Sequence, residues 1–105
     1  MNRDENKKWL IDYIDDNKEV FCEASKAIWS HPELAMQEHF AVETLTSLLE
    51  NSGFRVEKGV AGMPTAFVAE YGEGRPVIGF SAEFDALPGL SQKNDSNFHD
   101  PVKEG

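Results

Sequence analysis

The stretch Pro76-Val77-Ile78-Gly79-Phe80-Ser81-Ala82-Glu83-Phe84-Asp85-Ala86-Leu87-Pro88 decides how the chain is read. Val77, Ile78 and Phe80 form a nearly continuous apolar run, the pattern of a strand buried on both faces. Glu83 and Asp85 follow at its carboxyl end, two residues apart and therefore on one side of an extended chain. A strand that delivers two carboxylates just before a proline-terminated loop places them at the usual ligand crevice of an open α/β sheet. The other reading of these residues is that both carboxylates cap the loop or meet solvent, as strand-end acids often do.

Working backwards, Gly72-Glu73-Gly74 is a short glycine-rich turn that predicts an antiparallel hairpin with Thr65–Tyr71. Phe54–Glu57 alternates in the same style, which gives three strands in all. Ahead of them the period changes. From Asp4 to Ser30 the residues Trp9, Leu10, Tyr13, Ile14, Val20, Phe21, Ala24 and Ile28 recur three and four apart, which predicts an amphipathic helix. Asn2 or Asp4 is its candidate cap, and Pro32 ends it near Ser30. Phe40, Ala41, Leu45, Leu48 and Leu49 mark a second helix that closes at Asn51-Ser52-Gly53, where glycine suits a left-handed cap. The expected fold is α/β: two helices, then a β-hairpin within a three-stranded portion of a mixed sheet.

With 105 residues the chain suits one small domain, and 40% hydrophobic with 28% charged residues is an ordinary globular balance. Ten basic against nineteen acidic residues give a net charge of -9, which opposes binding to nucleic acid or anionic lipid. Asp4, Glu5, Asp12, Asp15, Asp16, Glu19 and Glu23 read as a solvated helix face. No window approaches a membrane span, and the polar N-terminus lacks the apolar core of a signal peptide. The single cysteine cannot form an internal disulfide, so the expected setting is cytoplasmic. Residues 91–105 are polar and aperiodic and read as a loop, longer than a finished domain commonly ends on.

Other candidate groups carry less. His31 and His39 lie eight apart with Pro32 between them, a poor arrangement for two metal ligands. His31 is expected to hydrogen-bond at a corner, with Pro32 starting a short turn and Glu33 near its first amides. His99 reads as solvated. Cys22, beside Phe21 and Ala24, is expected to be a small buried thiol with no base in reach. The glycines at 59, 62, 72, 74 and 79 do not make a phosphate-cradling motif.

Three stretches together, His31-Pro32-Glu33-Leu34, Gly62-Met63-Pro64-Thr65-Ala66-Phe67-Val68-Ala69 and Ser81-Ala82-Glu83-Phe84-Asp85-Ala86-Leu87-Pro88-Gly89-Leu90-Ser91-Gln92, resemble the opening of M20 amidohydrolases and metallopeptidases. The last two look most like the branch that contains aminobenzoyl-glutamate hydrolase. The resemblance implies that residues 1–90 are the N-terminal part of an M20 catalytic domain and that 91–105 are a polar active-site loop, cut midway. It implies an enzyme that uses zinc or manganese to hydrolyse small N-acyl amino acids or dipeptide-like amides, working as a homodimer or hetero-oligomer. In many such enzymes a metal-binding histidine stands where Glu83 stands here, and a carboxylate that orients it where Asp85 stands. Asp85 is accordingly assigned a positioning role and Glu83 a weaker one. The ligands of this branch come from a later Gly-His-Gly-Cys-Gly-His segment and further Glu and His residues, so this chain is expected to bind no metal and to be inactive alone. A non-catalytic binding or interaction domain derived from the same fold is the alternative.

Overall fold

A computed structural model describes residues 2–104. Helix α1 runs Arg3–Trp29 and helix α2 His39–Asn51, followed by strands β1, Arg55–Lys58, and β2, Phe67–Glu70. The α/β class and the order of two helices followed by an antiparallel hairpin match the sequence reading.

Asn2 caps α1 by accepting from the amides of Asp4 and Glu5 at 3.0 and 2.9 Å, while the Glu5 carboxylate accepts the Asn2 amide at 2.8 Å. This reciprocal box satisfies donors that the first helical turn leaves free. The helix stops at Ser30, next to Pro32, as proline demands. Despite its 27 residues, α1 buries no side chain. Trp9, Leu10, Ile11 and Ile14 remain more than half exposed, and Trp9 stacks on Tyr13 with ring centroids 5.4 Å apart. Cys22 is exposed as well, contrary to the expected buried thiol, because among the described residues no second element covers that side of the helix.

The core belongs to α2, which touches α1 and both strands. Ala41 and Val42 are buried, and so is Thr46, whose hydroxyl returns to the Val42 carbonyl at 2.7 Å. That bond satisfies the one polar group an otherwise apolar helix face would strand. Gly53 closes α2 with φ +89°, and the amide of Phe54 reaches back to the Leu49 carbonyl at 3.0 Å, completing a left-handed glycine cap. A side chain at 53 would also meet the Tyr71 ring at 3.5 Å. Phe54 and Tyr71 pack against each other there, 5.2 Å between centroids.

Strands β1 and β2 pair antiparallel, Arg55 opposite Glu70 and Lys58 opposite Phe67. Val56, Phe67 and Ala69 are half-buried while their neighbours face solvent, the period-two pattern of a half-covered sheet. The connection 59–66 contains a single 3-10 turn, Val60–Gly62, with Gly59, Ala61 and Gly62 all at positive φ. It is closed by the Gly59 amide on the Ala66 carbonyl at 2.8 Å.

Two expectations about the sheet are corrected. The hairpin joins β1 to β2, not β2 to a strand beyond Gly72-Glu73-Gly74. Residues Pro76–Glu83 form no strand: Val77, Ile78 and Phe80 are 83%, 74% and 95% exposed. A doubly apolar run needs neighbours on both edges and both faces before its backbone and side chains gain from extension. Among the described residues it has neither.

Candidate active-site scaffold

The acidic motif rejoins the fold at one point. The Ala86 amide donates to the Glu33 carbonyl at 2.7 Å, and Leu34 and Ala86 form an isolated parallel bridge. Two residues earlier, Phe84 stacks on Phe67 at the start of β2, centroids 5.9 Å apart. Phe84 and Ala86 are half-buried, whereas Glu83, Asp85 and Leu87 are exposed. The alternation turns Glu83 and Asp85 outward on one side, away from the anchoring contacts. Neither carboxylate has a hydrogen-bond or ion-pair partner among the described residues.

The His-Pro-Glu-Leu corner that receives Ala86 is densely bonded. His31 Nδ1 lies 3.0 Å from the Ala27 carbonyl, and its ring stacks on Phe40 at 3.9 Å, so His31 is a corner residue as expected. Glu33 behaves differently from the expectation. Its carboxylate ignores the turn begun by Pro32 and accepts the amides of Phe40 and Ala41, both at 2.9 Å, so it caps α2 from outside. The reason lies in Glu38, the residue at the cap position of α2, whose side chain makes no bond to the helix amides. Its carboxylate takes the Met36 amide at 2.6 Å and the Thr65 hydroxyl instead. Glu38 and Thr65 are 7% and 3% exposed, an uncommon depth for an acid unless it is bonded in this way.

The electrostatics follow the bonds. Burial works to raise the Glu33 carboxyl, but the amides of Phe40 and Ala41 and the nearby His39 outweigh it and leave the group below its ordinary value. For Glu38 the Thr65 hydroxyl is the largest influence; it holds the carboxyl low against the opposing effect of burial, helped by the Met36 amide. Both acids are therefore carboxylates at neutral pH. Glu38 and Thr65 carry no signal of this role in the sequence. Thr65 lies inside the Gly-Met-Pro-Thr-Ala stretch, but nothing in spacing alone joins it to an acid 27 residues earlier.

The polar tail closes on itself. Gln92 donates to the Phe98 carbonyl at 2.7 Å and accepts from the Asp100 amide at 2.9 Å, and Lys93 pairs with Asp100 at 3.1 Å. Ser91 Oγ receives the amides of Val102 and Lys103 at 3.2 and 3.3 Å. Phe98 and Val102 stay two-thirds exposed, so the loop is organised without joining a core. His99 is exposed, as its polar setting suggests.

Among the described residues no three His, Cys, Asp or Glu side chains gather as metal ligands do. The donors nearest one another are committed: Glu33 and Glu38 to amides and a hydroxyl, His31 Nδ1 to a carbonyl. Among the described residues these committed groups do not fit a metal ion.

No protein-family profile matches the chain, but individual proteins do. One subunit of the p-aminobenzoyl-glutamate hydrolase of Escherichia coli is 40% identical over 86 residues, 82% of this chain and 18% of that protein. The Xaa-Arg dipeptidases of Homo sapiens and Mus musculus are 39% and 37% identical over 90 and 94 residues, 73% and 80% of this chain and 21% and 22% of theirs. Over the matched residues the chain is similar to these proteins at 37–40% identity, consistent with an M20-like fragment. The chain spans about a fifth of the length of the relatives it matches, which are hydrolases and peptidases by name. No helix among the described residues is long and apolar enough to cross a membrane.

Proposed function

We propose that the chain is the N-terminal scaffold of a metal-dependent amidohydrolase that cleaves small N-acyl amino acids or dipeptide-like amides such as aminobenzoyl-glutamate. Asp85, and more weakly Glu83, help to position the reacting groups. Zinc or manganese, the ions this reading calls for, would be held by segments outside the chain, which by itself is inactive. The parent enzyme works in the cytoplasm as a homodimer or with a second kind of subunit, as the name of the bacterial relative suggests for that protein.

The observation that carries this reading is the anchoring of Ala86 on Glu33 and Leu34. It fixes the residue after Asp85 to the corner while leaving the two outward carboxylates unspent. A carboxylate meant for a neighbour's imidazole or for substrate must be held at its base and free at its tip.

Exchange of segments tests it. The 86 matched residues of the chain, substituted for the matching 18% of the E. coli hydrolase subunit, should preserve hydrolysis of aminobenzoyl-glutamate. Asp85→Asn in that chimera should lower kcat about 10- to 100-fold, the usual cost of losing a group that orients a ligand. The isolated chain with zinc or manganese should show no turnover. A folded chimera without activity would overturn the scaffold reading, and metal-dependent turnover by the isolated chain would overturn its inactivity.

A further inference from the structure

We infer that Glu33, Glu38 and Thr65 are positioning residues for Asp85, a clasp that ties three distant segments of the chain together at the base of the acidic motif. The inference rests on the function proposed above and adds to it residues that act through others. Capping a helix requires far less than this corner contains, since one Ser, Thr, Asp or Asn at the cap position suffices. Here that position holds Glu38, which turns away from the helix to bind Met36 and Thr65. Glu33, seven and eight residues before the amides it binds, supplies the cap.

The arrangement makes Glu33 a two-ended link. Its side chain is fixed to the first turn of α2, and its main-chain carbonyl holds Ala86. Rotation of residue 33 would therefore move the peptide adjoining Asp85. Glu38 secures the same corner from the other side. Met36 sits at φ +69°, a left-handed backbone state that a non-glycine residue adopts reluctantly, and the Glu38 carboxylate receives its amide there. Through Thr65 the same carboxylate reaches the loop that leads into β2, where Phe67 supports Phe84. Both routes from the clasp end on the residues that flank Asp85, one on Ala86 and one on Phe84.

Amide hydrogen exchange on the full chain reads the clasp directly. In Glu33→Ala and Thr65→Val, exchange at Ala86 should quicken about tenfold and by clearly more than at any amide of the β1–β2 ladder, because local opening at Ala86 adds to whatever the packed hairpin loses with the cap of α2. Thr65→Ser, which keeps the hydroxyl, should restore the original rate. In the chimera described above, Glu33→Gln and Thr65→Val should lower kcat about tenfold with KM within about twofold, and Thr65→Ser should not. Loss of protection along the hairpin in step with Ala86 would mean ordinary destabilisation and overturn the inference, as would an active chimera indifferent to these substitutions. An unsubstituted chimera that folds without activity would instead remove the proposed function, and the exchange at Ala86 would still decide whether the clasp holds the motif.

Discussion

Helices α1 and α2 make opposite use of similar material. The first has 27 residues and an ideal reciprocal cap, and buries none of its side chains; the second has 13, no cap of its own, and buries Ala41, Val42 and Thr46. Local sequence is enough for α1, whose length and cap favour a helix whatever surrounds it. By contrast α2 depends on its surroundings, drawing its cap from Glu33 and its core from the sheet. Stability in this chain therefore follows packing, and the amount of regular structure is a poor guide to it.

The most damaging substitution should accordingly be small and central. Ala41→Asp places an unpaired charge at a site 1% exposed and should cost about 4 kcal/mol or more. Denaturant unfolding followed at the β1–β2 hairpin should find it unfolded while far-UV circular dichroism retains part of the α1 signal. Equal loss of both signals would break the contrast between the helices.

Acid should act next, and on the α2 side alone. Glu33 and Glu38 have folded-state values below the ordinary 4.5, so the unfolded chain takes up protons first as pH falls. Their contribution is complete above that value and disappears as pH drops through the lower, folded ones. Midpoints of denaturant unfolding should fall on the acid side of pH 4.5, and Glu33→Gln with Glu38→Gln should flatten that limb. A wild-type acid limb in the double variant would show that other carboxylates govern it.

The smallest effect should come from the most apolar-looking stretch. Phe80→Ser alters a side chain that is 95% exposed and should change the stability of the isolated chain by no more than about 0.5 kcal/mol. A loss of about 2 kcal/mol or more by the same assay would mean that residues 76–80 pack in solution.

That last contrast also explains what the sequence reveals and what it leaves hidden. Both helices are legible because their periods, the asparagine cap, Pro32 and Gly53 are local signals that act within a few residues. The run Val77, Ile78, Phe80 carries an equally strong local signal for a buried strand, but burial is a relation between segments and a single run cannot supply the other side. The same limit applies to the candidate site. Spacing alone places Glu83 and Asp85 on one side of an extended chain, and their outward alternation with Phe84 and Ala86 agrees with that. The link from Glu38 to Thr65 spans 27 positions, and that from Glu33 to Ala86 joins main-chain atoms, which no choice of side chain announces.

The turn between β1 and β2 sets a direction for future change. Ala61 holds φ +55° between two glycines that are also left-handed, so position 61 carries a methyl group where the backbone would accept none more readily. Drift toward glycine or asparagine there is open, whereas valine or isoleucine would force the loop to be rebuilt. Because that loop runs on into Thr65, a bulky replacement on the surface would be felt at a buried carboxylate on the far side of the turn.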